Sequence, residues 1–175
     1  MTVKRVALTI LAGIGALGLA GALLVVMLGI WGTHRERASR PGDLVYILNW
    51  AGLDGSRIIE VRHAYVGDRN PMVGDQTKAY CLKLDHPLRL TPSPEPNRVW
   101  LGPVTDSLLL EALNTATAFP AEAGVGWFPS AAELNSGRFM LSFPELTAHH
   151  GRVEAVKLTA YDTRDDLLYH SEVKW

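Results

Sequence analysis

"VALTILAGIGALGLAGALLVVMLGIWG", residues 6–32, poses the fold question of this chain. Within it GIGALG, residues 13–18, matches the G-x-G-x-x-G of a dinucleotide-binding turn. Residues 6–11 are apolar enough for a first strand, and Glu36 stands about 20 residues on, where an acidic side chain would meet a ribose hydroxyl. The flanks decide against that reading. A helix packed on a sheet keeps one face for water, so charged or amide side chains should recur after the glycines at helical spacing. None does: Thr9 is the only hydroxyl and the 27 residues carry no charge. As a helix the run spans roughly 40 Å at about 1.5 Å per residue, enough to cross a hydrocarbon core of about 30 Å. The sequence therefore predicts a transmembrane helix over residues 6–32 behind a short basic tail, residues 1–5, with no cofactor at the glycines.

Read in lipid, the small residues acquire another use. Ala12, Ala16 and Ala20, and likewise Gly18 and Ala22, follow the small-xxx-small spacing that lets helix backbones approach closely, so this face can pair with a second helix of the same or another chain. The plainer reading is that glycine and alanine are common in membrane helices. A cleaved signal peptide fits poorly, because the apolar core is too long and is followed by THRERASR. The span is expected to stay as an anchor, followed by a juxtamembrane linker over residues 33–43. Lys4 and Arg5 precede it, whereas Arg35, Arg37 and Arg40 follow it. The bare count favours a cytoplasmic carboxyl side, and the free amino terminus offsets part of that excess. A very short basic tail before one span and a soluble domain is the layout of an exported domain, and a periplasmic or extracytoplasmic position is the expectation taken here.

What remains must fold as a unit. Residues 41–175 hold 12 Lys and Arg against 17 Asp and Glu, a formal charge of −5. That balance excludes a nucleic-acid partner, which needs a basic face. The stretch suits one domain with one core, taken as residues 44–175. A single cysteine, Cys81, excludes an internal disulfide.

The pattern within the domain is mostly that of strands. Residues 56–66, SRIIEVRHAYV, alternate so that Ile59, Val61, His63 and Tyr65 share a face, and residues 78–85, KAYCLKLD, do the same with Tyr80, Leu82 and Leu84. GDRNPMVGDQT between them has the composition of a long loop. TPSPEPN, residues 91–97, reads as a surface excursion and RVWLGPV as a short strand. A helix is predicted over residues 107–118, capped by Thr105 or Asp106, with Leu109, Leu110 and Leu113 on one side. RFMLSF, GRVEAVKLTAYD and LLYHSEVKW read as three strands with TRDD as a turn. In the last, Leu167, Tyr169, Val173 and Trp175 should pack while Leu168, His170, Glu172 and Lys174 face water. The expected class is α+β: an antiparallel sheet of five or six strands covered on one face by one main helix.

Chemistry has few candidates. His149 and His150 in HHG could join a third ligand around a metal ion, and His63 on an apolar strand face could serve a site. No H-x-x-x-H or C-x-x-C spacing supports them, and a solvated turn and a satisfied core histidine are the plainer readings. Cys81, between Tyr80 and Leu82, reads as a small buried hydrophobe. Asp162, Asp165 and Asp166 lack the glycine pivot and distal glutamate of a calcium loop. Asp68 and Asp75, each after a glycine, and Trp127 and Phe128, among glycines and prolines, have the composition of recognition loops. The plainer alternative for the aromatics is that they plug the sheet's open end. Two function classes follow. The first is a membrane-anchored domain that binds another protein, as an accessory subunit or a neutralising, immunity-type partner. The second is a membrane-tethered hydrolase or metal-dependent enzyme whose His63, Asp85, His149 and His150 converge only in space.

Overall fold

The computed structural model describes residues 21–23, 40–70, 75–90 and 100–174. The chain divides into two units, Met1–Arg35 and Glu36–Trp175. Most of the expected span, with Ala12, Ala16, Gly18 and Ala20, lies outside the described residues, as do the basic tail and residues 33–39 of the linker. Residues 21–23, which include Ala22, are helical. Among the described residues no helix is long and apolar enough to cross a membrane.

The second unit is a small α+β domain. A 3₁₀ turn, Pro41–Leu44, leads into α1, Val45–Trp50. The hairpin of β1, Ile58–Asn70, and β2, Asp75–Leu84, follows. Then come α2, Ser107–Glu122, and the single turn α3, Ala131–Leu134. The meander of β3, Phe139–His149, β4, Arg152–Asp162, and β5, Leu167–Lys174, ends the domain. The strands form one sheet in the order β1-β2-β5-β4-β3, and each pairs antiparallel with its neighbours. Hairpin and meander are thus separate in sequence and joined through the pairing of β2 with β5, which makes the last strand the central one.

The sheet is covered on both faces, not on one. Leu168 and His170, expected to be wet, are both 0% exposed. Their face is roofed by the segment from the 3₁₀ turn through α1 to Leu53, which inserts Leu44, Ile47, Leu48, Ala51 and Leu53 against Tyr80, Leu82, Tyr161 and Leu168. Nothing local signals this roof, because a six-residue helix is too short to show a helical period.

The other face takes α2. Asp106 caps it, its carboxylate accepting from the amides of Leu108 and Leu109 at 3.0 and 3.1 Å. Ala112, Leu113 and Ala116 form its buried stripe, and the two alanines let the helix sit close to β4 and β5. The helix runs to Glu122, beyond the expected end at residue 118, although Pro120 lies inside it. A proline has no N–H to give the carbonyl four residues back, here that of Ala116. The Ser171 hydroxyl donates to that carbonyl instead, at 2.8 Å, and ties α2 to the central strand.

Three further expectations change. The regular alternation assigned to β1 is broken by register shifts that leave Ile59, Arg62 and Arg69 as extra residues opposite β2. Each bulge reverses the side-chain parity. Ile58 is buried and Ile59 is 52% exposed, while Val61 and His63 fall on opposite faces. The supposed long loop between these strands is mostly strand, for Asp68 pairs with Gln76 and Asn70 with Asp75. Among the described residues the strand expected near RVWLGPV is reduced to one bridge, Leu101 with Leu141.

Candidate functional site

The residues singled out for recognition fall in two places, Trp127 and Phe128 in the loop after α2, and Asp68 and Asp75 toward the tip of the β1–β2 hairpin. After α2, Gly124 has φ of 71° and turns the chain back over the sheet, toward a loop carrying Trp127 and Phe128. Phe128 is buried and meets Tyr169 of β5 edge to face, ring centres 5.9 Å apart. Trp127, held beside it, remains half-buried and stacks on the exposed imidazole of His63, centres 5.1 Å apart and planes 16° from parallel. A capping box at α3, Ser130 with Glu133, fixes the far end of the loop. An open groove of about 460 Å³ runs beside the aromatics, lined by Trp127, Phe128, Pro129, Arg138 and Tyr169. Asp68 and Asp75 lie in β1 and β2 near the tip of the hairpin, Asp68 five residues beyond His63, roughly 16 Å at about 3.3 Å per residue, and so apart from the aromatics. Among the described residues no strand pairs with the outer side of β1.

The residues of the enzyme reading do not assemble. His63 is paired opposite Cys81. Asp85 lies four residues beyond Cys81, roughly 13 Å at about 3.3 Å per residue. There it accepts from the Arg57 amide at 3.0 Å and meets His86 at 2.8 Å, and the Arg57 bond is the main reason its carboxyl is held low. His149 and His150 are at the opposite edge of the sheet, about 19 Å from β1 across four strand spacings. His150 and Gly151 have φ of 49° and 75° and form the two-residue connection between β3 and β4, of the left-handed kind that suits strand twist. The two rings touch edge to face at 4.1 Å and both side chains are exposed. Among the described residues no three His, Cys, Asp or Glu side chains are grouped to hold a metal ion. Cys81 is 2% exposed, and burial pushes its thiol up to about 11, so it is a poor nucleophile.

Sequence reasoning missed a second constellation, beneath α1. The Thr159 hydroxyl lies 2.9 Å from Nδ1 of His170, and Oε1 of Glu172 lies 3.4 Å from its Nε2. Tyr46 of α1 donates to Glu172 at 3.0 Å, and Lys78 of β2 approaches the same carboxylate at 3.5 Å. Lys157 of β4 pairs with Glu145 and sits 3.7 Å from the centre of the Trp50 ring. Burial pushes the Glu172 carboxyl up, but His170, Lys78 and Tyr46 outweigh it and hold the group at about 2. For His170 burial is the larger influence and pushes the imidazole down against the pull of Glu172. The i, i+2 spacing of His170 and Glu172 was the available signal, since it puts both on one strand face. Their partners come from three other elements and left no local trace. No family model, no curated protein and no solved structure matches the chain.

Proposed function

We propose that this chain is a membrane-anchored interaction domain, held by residues 6–32 with its globular part on the periplasmic or extracytoplasmic side, where it binds another protein in an accessory or neutralising role. The observation that carries the reading is the His63–Trp127 stack. An indole fixed on one side by Phe128 and on the other by an imidazole loses little freedom on binding, and rigid aromatics of this kind dominate protein interfaces. It stands beside β1, an edge strand of the sheet, and open edges recruit other chains. The excess negative charge of residues 41–175 complements a basic partner surface. No observation favours the hydrolase reading, because His63, Asp85 and the His149–His150 turn stand at separate places on the sheet.

A photo-crosslinking residue placed at the exposed position 126, beside an intact Trp127, in the full-length protein tests the proposal. A discrete adduct with one protein should form there, and not from position 114 on the exposed side of α2. In a second experiment, with the crosslinker at Arg62, Trp127→Ala should weaken the adduct at least tenfold, the loss typical of a dominant interface residue. Equal labelling from positions 126 and 114, or none from 126, would overturn it.

A further inference from the structure

Helix α1 closes over an imidazole that has no access to water. His170 is 0% exposed, with the Trp50 ring 6.1 Å above it and the Tyr80 ring stacked 6.5 Å away. The charged and titratable groups around it come from every packed element: Glu172 on β5, Lys157 on β4, Lys78 and Tyr80 on β2, and Tyr46 on α1. A neutral ring satisfies this site completely when Nε2–H donates to Glu172 and Nδ1 accepts from Thr159. A proton added at Nδ1 forces the Thr159 hydroxyl to turn and accept. It also places a cation in a dry site that already has Lys78 and Lys157 nearby.

We propose that the docking of α1 on the sheet is an acid-sensitive latch, closed over the uncharged imidazole of His170 and loosened when that ring takes up a proton. Lifting α1 lets water reach the ring, so the opened form binds the proton more readily than the closed one. By linkage each pH unit below the ordinary histidine value of 6.5 favours the opened form up to about tenfold, until the closed form also protonates. Leu44, Ile47, Leu48, Ala51 and Leu53 keep a larger apolar hold on the sheet. Acid therefore raises the frequency of opening without detaching the segment.

The test is hydrogen exchange of the full-length chain in detergent micelles at pH 7.5, 6.5 and 5.5, corrected for the pH dependence of intrinsic exchange. Opening of the α1 amides should rise three- to tenfold between pH 6.5 and 5.5, while the amides of α2, on the other face, change less. His170→Asn, which keeps a polar planar group and cannot titrate, should flatten the α1 response. Equal slopes in α1 and α2 would make His170 a determinant of global stability alone, and a flat wild-type response, or an unchanged one in His170→Asn, would refute the latch. If that variant fails to fold, the wild-type imidazole titration by NMR decides. A midpoint below 6.5, moved lower still by Glu172→Gln, supports the latch; a midpoint at or above 6.5 overturns it.

Discussion

Asp162 shows how one side chain closes the β4–β5 turn. Its carboxylate is 1% exposed and accepts from Nε of Arg138 at 2.8 Å, from the Arg164 amide at 2.9 Å and from the Asp165 amide at 3.3 Å, while Arg138 Nη2 meets both Asp162 and Asp165. Burial pushes its carboxyl up, yet the Arg138 bonds and the turn amides outweigh burial and hold it low. Asp162→Ala removes these acceptors together and leaves the turn amides to find new partners. We expect a loss of about 2–4 kcal/mol, read as a fall in the thermal midpoint, with Arg138 partly compensated because it reaches solvent. A group held low in the fold stabilises it above its ordinary value, 3.8, and that contribution fades as pH falls below it. The acid limb of the wild-type stability curve should therefore be shallower in Asp162→Ala. At this scale the sequence was half legible: TRDD reads as a turn, but Arg138 lies 24 residues away and nothing local announces the pairing.

Between elements, the join of α2 to β5 depends on a vacancy created by Pro120. Its ring leaves the Ala116 carbonyl without a helical donor, and Ser171 supplies one in a buried setting. Ser171→Ala should cost about 1–3 kcal/mol, the range for stranding a buried acceptor. Pro120→Ala returns an N–H at the helical position, so in that background Ser171→Ala should cost well under 1 kcal/mol. A double-mutant cycle by urea unfolding measures the coupling; additive losses would mean that the carbonyl finds no helical donor even without the proline. The Asp106 cap, the strands of the meander and the Trp127–Phe128 loop carry local signals and were readable. The roof of α1 and the bulges of β1 were not, because one is too short for periodicity and the others invert it. His170 was misplaced on a wet face for that reason alone, and with it the network under α1 was lost. The His63–Trp127 stack was equally invisible, since its two rings come from elements 64 residues apart.

On the scale of the whole molecule, the proposed anchor over residues 6–32 makes the side of the membrane the variable on which the proposed partner of the His63–Trp127 surface depends. Lys4 and Arg5 oppose Arg35, Arg37 and Arg40 across the uncharged run, and an excess of one basic side chain, offset by Glu36 and by the free amino terminus, is too small to set orientation by itself. The single thiol, Cys81, is 2% exposed and so shielded from oxidation and exchange on either side of a membrane. It is also held without any covalent link, by two apolar cores on the two faces of one sheet. We expect a reporter active only outside the cytoplasm to function when fused after Trp175. The fusion must carry a flexible spacer, because Lys174, paired with Ala155 of β4, belongs to the central strand and a bulky attachment would strain β5. Activity of that reporter, with silence of a cytoplasmic one at the same position, places the aromatic surface among exported proteins. Moving Lys4 and Arg5 beyond the span should invert both signals, since the amino-terminal side would then hold no basic side chain and the carboxyl side five. If the native fusion lights the cytoplasmic reporter instead, the arginines at 35, 37 and 40 govern insertion, and the partner must be sought at the inner surface of the membrane.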